Sequence, residues 1–99
     1  MNCEKLQKSL RSERFVKILD QSQKFEKNAI VYAKEINQNV FLLFVIVDSL
    51  KSNKIYASIA SYNNIESIGK EDPLQVMFHL DINSKEDFHY LEKYVNVLV

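Results

Sequence analysis

Residues 40–47 read Val-Phe-Leu-Leu-Phe-Val-Ile-Val, eight apolar side chains in succession between Asn39 and Asp48. β-Branched and aromatic residues dominate, so the run favours an extended strand. Successive side chains on a strand point to opposite faces of a sheet, and a strand that is apolar throughout needs cover on both. The run falls far short of the roughly 20 residues of a membrane helix. It is therefore expected to be the central strand of a small sheet, and the rest of the chain must supply its cover.

The segments around it read as further strands. Residues 29–36, Ala-Ile-Val-Tyr-Ala-Lys-Glu-Ile, suit a preceding strand, and Asn37-Gln38-Asn39 suits a tight turn, because Asn tolerates the left-handed backbone of hairpin turns. A two-residue loop sets Tyr32 opposite Val45 and a three-residue loop sets it opposite Phe44. A one-residue slip exchanges every side chain between faces, so the register stays open. After a polar connection over 48–53, residues 54–62 alternate, with Ile55, Ala57 and Ile59 on one face and Tyr56, Ser58, Ala60 and Tyr62 on the other. Asn63-Asn64 suits a turn into a short strand over 65–68, and Gly69-Lys70-Glu71-Asp72-Pro73 a loop. Residues 74–82 then form a half-exposed strand, with Leu74, Val76, Phe78, Leu80 and Ile82 facing one way and Gln75, Met77, His79 and Asp81 the other.

Helical segments flank the strands. Residues 3–26 lack Gly and Pro and are rich in helix formers. At 100° per residue, Cys3, Leu6 and Leu10 share one side, whereas Phe15, Ile18 and Leu19 lie well round from it, which one straight amphipathic helix does not allow. The reading favoured is a helix whose main part runs over 12–26 with Ser12 as its cap, after a less regular first segment; the alternative places a second copy of the chain against Leu6 and Leu10. At the other end Ser84 suits an N-cap, Glu86 and Asp87 a first turn, and Phe88, Leu91, Val95 and Leu98 a buried stripe. The expectation is one α+β domain over 1–99: an N-terminal helix with a break allowed near Ser12, a four- to five-stranded mainly antiparallel meander, and a C-terminal helix.

Thirteen Lys and Arg balance thirteen Asp and Glu. That argues against an acidic nucleic-acid mimic and against a strongly basic nucleic-acid binder. The balance hides an asymmetry: residues 1–27 carry a net +3 and residues 66–99 a net −4. A single cysteine, Cys3, excludes an internal disulfide and a cysteine-based metal cluster. The first residues lack the apolar core of a secretory signal, so a cytoplasmic location is expected. Abundant Lys, Asn and Ile with one Gly and one Pro suggest AT-rich coding, as in a low-GC bacterium or its phage.

Catalytic signals are weak. His79 and His89 are ten residues apart in no metal-ligand pattern, and Gly69 alone cannot build a glycine-rich phosphate loop or a nucleophile elbow. No catalytic, metal or cofactor residue is assigned, and a non-enzymatic role is expected. Tyr32, Lys34, Lys54, Tyr56 and Tyr62 interleave aromatic and basic groups on neighbouring strands. With the basic first helix they offer an RNA or single-stranded DNA surface as the alternative function. Helices preceding a small antiparallel sheet resemble, in order of elements, small ribosome-dependent endoribonuclease toxins, although the basic catalytic cluster of such toxins is absent here and the closing helix is acidic. The first reading is a protein-binding module, accessory or inhibitory, of a phage or mobile element. Two helices are not expected to cover both sheet faces, and a bare apolar face marks an interface. Leu6, Leu10, Phe44 and Ile46 are the expected contacts, with a second copy of the chain, in a homodimer, and a further macromolecule as partners.

Overall fold

The computed structural model describes residues 3–48 and 53–98. In chain order the elements are α1 (Cys3–Ser12), β1 (Val16–Ile18), β2 (Ile30–Asn37), β3 (Val40–Asp48), β4 (Asn53–Ser61), one 3-10 turn (Ile65–Ser67), β5 (Gln75–Asp81) and α2 (Lys85–Leu98). The five strands form one antiparallel sheet in the order β1-β2-β3-β4-β5. The fold is thus the expected α+β meander with a helix at either end, and the apolar run is its central strand. Residues 49–52 of the connection expected over 48–53 lie outside the described residues.

The first segment departs from expectation. The helix occupies residues 3–12, and the stretch expected to be its main part is a short strand followed by an irregular loop. The stop is a Schellman cap. Arg14 takes a left-handed φ of 69°, its N–H donates to the Arg11 carbonyl at 3.2 Å, and the Phe15 N–H reaches back to the Leu10 carbonyl at 2.9 Å. Leu10 and Phe15 bracket the cap and belong to the same apolar cluster. The split stripe is explained: Leu6 and Leu10 follow helical spacing, whereas Val16 and Ile18 follow a strand's.

Both register alternatives at the β2–β3 turn are partly realised. Asn37 pairs with Val40 around a two-residue turn, and a bulge between Glu35 and Asn37 then shifts the register so that Tyr32 lies opposite Phe44. Asn39 supplies the left-handed residue, φ 58°, and the Glu35 carboxylate accepts its N–H at 3.0 Å. A second bulge, in β5 opposite Ile59/Ala60, overturns the expected alternation there. Phe78 pairs with Ile59 but Val76 pairs with Ala60, so Val76 shares a face with His79 rather than with Phe78. The strand expected over 65–68 is instead the 3-10 turn, because the Asn64 side chain caps it by accepting the Ser67 N–H at 2.9 Å.

The two faces of the sheet are covered differently. On the first, both helices pack: Leu10 of α1 and Leu91 of α2 join Tyr32, Leu42, Phe44, Ile46, Ile55, Ala57 and Ile59 in one buried cluster. On the second, Val31, Ala33, Phe41, Leu43, Val45, Tyr56 and Ala60 are covered by Ile18, Phe25, Ala29, Ile65 and Ile68. The cover of that face is therefore Ile18 of β1 and the loops over 19–29 and 62–74 of the same chain.

Candidate interaction surface

The residues first expected to contact a partner are internal. Leu10, Phe44 and Ile46 are buried, and Leu6 packs against them. The Phe44 ring meets Phe15 edge-on at 5.6 Å and stacks with Phe88 at 6.0 Å. The structure brings the four together, as a core beneath the helices and not as a surface.

The aromatic and basic set divides. Tyr32 and Lys34 lie on the helix-covered face, and Lys34 sits over the Phe15 ring at 5.7 Å. Lys54, Tyr56 and Tyr62 lie on the opposite face, with Lys54 over the Tyr56 ring at 5.3 Å. All three tyrosines are buried, so they do not form a stacking platform. The period-2 pattern holds along β4, so that Tyr56 and Tyr62 share a face. What it could not show was the register between strands and the loops that close over Tyr56 and Tyr62.

Those loops are tied down by polar contacts. The Asp20 carboxylate accepts the N–H groups of Lys24 and Phe25 at 2.7 and 3.0 Å. The Tyr56 hydroxyl donates to Glu26 at 2.7 Å. Burial, then this hydrogen bond, pushes the Tyr56 phenol well above its ordinary titration range, and burial raises Tyr62. Lys24 pairs with Asp72 at 3.2 Å, and the Ser22 N–H donates to the Gly69 carbonyl at 2.9 Å. Gly69 has φ 87°, and a Cβ there would lie 2.7 Å from the Leu19 carbonyl oxygen, so only glycine lets the two loops meet this closely. His79 stands beside Tyr56, ring centroids 4.8 Å apart, and is 3.3 Å from Asp81; His89 is exposed on α2. No metal-ligating cluster occurs among the described residues, and none of their helices is long and apolar enough to cross a membrane.

The open places are the edges of the sheet. β1 has three residues with Lys17 at its centre, two features that discourage further strand pairing. β5 has seven residues, Gln-Val-Met-Phe-His-Leu-Asp, with no Lys, Arg or Pro. Of the six large apolar side chains that stand exposed among the described residues, four lie on β5, just before it or on α2: Leu74 (64%), Val76 (56%), Tyr90 (61%) and Val97 (84%). Tyr90 and Tyr94 of α2 both stack on Phe78 of β5, which places the helix along this edge.

The backbone of the β5 edge is partly occupied. The Ile82 N–H donates to the Ile55 carbonyl at 2.8 Å, and antiparallel bonding alternates along a strand. Leu80 and Phe78 therefore bond inward, opposite Ala57 and Ile59, and His79 and Asp81 present their N–H and C=O groups outward. On either side of them α2 intervenes: the Tyr94 hydroxyl donates to the Met77 carbonyl at 3.4 Å, and the Asp87 carboxylate accepts the N–H groups of Asn83 and Ser84 at 2.7 and 3.1 Å. No strand lies beyond β5 among the described residues. No family model, no curated protein and no solved structure matches the chain, so nothing beyond order of elements ties it to the endoribonuclease toxins.

Proposed function

We propose that this chain is a small non-enzymatic protein-binding module that works by contact, as an accessory or inhibitory protein of a phage or mobile element in a low-GC bacterial cytoplasm, and that β5 with α2 is its contact surface. The observation that supports the reading is the exposed apolar side chains on the two sides of this edge: Leu74 and Val76 at the start of the strand, Val76 on the loop-covered face, and Tyr90 and Val97 on the helix that packs against the other face. Exposed apolar groups along an edge favour association, and an edge strand adds main-chain donors and acceptors that another protein can pair. Partners are a second copy of the chain and a further protein.

Site-specific photocrosslinking in the host cell tests this. A photoreactive phenylalanine analogue in place of Val76 or Tyr90 is expected to give discrete protein adducts, and the same group in place of Lys8, exposed on α1, to give none. Absence of adducts from both β5–α2 positions, or identical adducts from the Lys8 position, overturns the proposal.

A further inference from the structure

We propose that β5 pairs antiparallel with β5 of a second copy of this chain, in the register that sets His79 opposite Asp81 of the second copy and joins the two sheets into one. The inference rests on the reading of β5–α2 as a protein contact and names the occupant of its backbone edge.

The argument is one of register. A new strand must bond to the outward groups of β5, and between the α2 contacts at Met77 and Asn83 only His79 and Asp81 offer them. Three two-fold registers would bring outward residues together. Pairing His79 with His79 of the second copy sets two imidazoles face to face and requires Met77, whose carbonyl Tyr94 already reaches. Pairing Asp81 with Asp81 opposes two carboxylates and requires Asn83, whose N–H Asp87 already holds. Like charges directly opposite are unfavourable on a sheet. Pairing His79 with Asp81 avoids both conflicts. It uses each free N–H and C=O, and it places an imidazole opposite a carboxylate twice over by symmetry.

The side chains on the other face agree with this register. Leu80 meets Leu80 of the second copy, and Phe78 meets Ile82, so apolar groups oppose apolar groups on the helix-covered side. Tyr90, exposed beside Phe78, then lies at the rim of the joint. A two-fold axis through Leu80 makes the contact closed and isologous, the commonest symmetry of small assemblies, and removes the edge that β5 otherwise presents.

Sedimentation equilibrium combined with amide hydrogen exchange tests the register. The protein is expected to dimerise between micromolar and millimolar concentration, with the His79 and Asp81 amides becoming protected as the dimer fills. His79→Glu sets two carboxylates opposite each other at both ends of the joint and is expected to weaken the dimer about tenfold. His79→Glu combined with Asp81→Lys restores opposite charges and is expected to restore the dimer. Far-ultraviolet circular dichroism confirms that each variant is folded. A dimer whose His79 and Asp81 amides exchange freely, or which the double variant fails to rescue, overturns this pairing and leaves the protein-contact reading standing. A monomer at millimolar concentration overturns the pairing too, and the photocrosslinking then decides the broader reading by itself.

Discussion

The two faces of the sheet bury comparable side chains by different means. Under the helices the cover is regular secondary structure, and the contacts are almost wholly apolar: Leu10, Leu91, Phe15 and Phe88 around Phe44. Under the loops a few apolar groups, Phe25 foremost, are held in place by directed polar ties: Asp20 to two backbone N–H groups, Glu26 to Tyr56, Lys24 to Asp72, Ser22 to Gly69. A helix satisfies its own backbone and brings only side chains to the core. A loop must find partners for its backbone groups as well, because buried polar groups left unpaired are costly. The lesson is that a strand needing cover on both sides does not need a helix on both sides, provided the covering loop carries its own carboxylates and one glycine at the crossing.

The largest effect expected from breaking this contrast is at Phe44. Phe44→Ala empties the centre of the helix-covered face and is expected to cost about 3–5 kcal/mol in global stability by urea denaturation. Phe25→Ala, at a half-buried loop position, is expected to cost clearly less and to accelerate amide exchange within 19–29 while leaving β2–β4 protected. Equal losses at the two sites would mean that the loops belong to the cooperative core. Next in size is Gly69→Ala, which forces a side chain into left-handed backbone and against the Leu19 carbonyl. A loss of about 2–3 kcal/mol is expected, with thermal melting as the measurement.

A smaller effect follows from the polar ties. Tyr56→Phe removes the hydroxyl bonded to Glu26, and about 0.5–1.5 kcal/mol is expected at neutral pH. The same tyrosine sets an alkaline limit. Its folded-state titration lies above the ordinary value of 10.0, through burial first and Glu26 second. The stability this contributes is fully present below the unfolded value and is lost as pH climbs beyond it. Denaturation midpoints should therefore fall above about pH 10, and less steeply in Tyr56→Phe, where the raised Tyr62 remains. Smallest is Lys24→Ala. Its partner Asp72 is well exposed, and the change is expected to stay within about 1 kcal/mol, read in the same denaturation series.

Strands β2 to β5 and α2 are legible in sequence because period-2 alternation and helical spacing are local properties. The 40–47 run needed no tertiary information to be central. The helix expected over 12–26 does not form because helix propensity carries little weight against a cap: Arg14 in left-handed conformation and the Leu10–Phe15 contact stop the helix, and an arginine gives no such warning in sequence. Val76 faces away from the side its alternation implies because a bulge adds one residue without a compositional signal. The expected contact residues failed for a related reason. Apolarity marked Leu6, Leu10, Phe44 and Ile46 as needing cover, but only the fold shows that they cover one another. The β5 edge could have been suspected from its lack of Lys, Arg and Pro; the caps that leave only His79 and Asp81 open depend on where α2 comes to lie.

Strand order in this sheet is the same as strand order along the chain. During synthesis each strand from β2 to β5 emerges next to the one it will pair with, and the sheet can lengthen one neighbour at a time without a distant segment to wait for, which keeps loop-closure costs low. The helix-covered face is the exception. Leu10 precedes the strands and Leu91 follows them, yet they share one cluster. Until α2 has been made, Phe44 and Ile46 lack its share of their cover. The helix-covered face is therefore sealed by α2, and a truncation that removes α2 would uncover the middle of the sheet rather than shorten its margin.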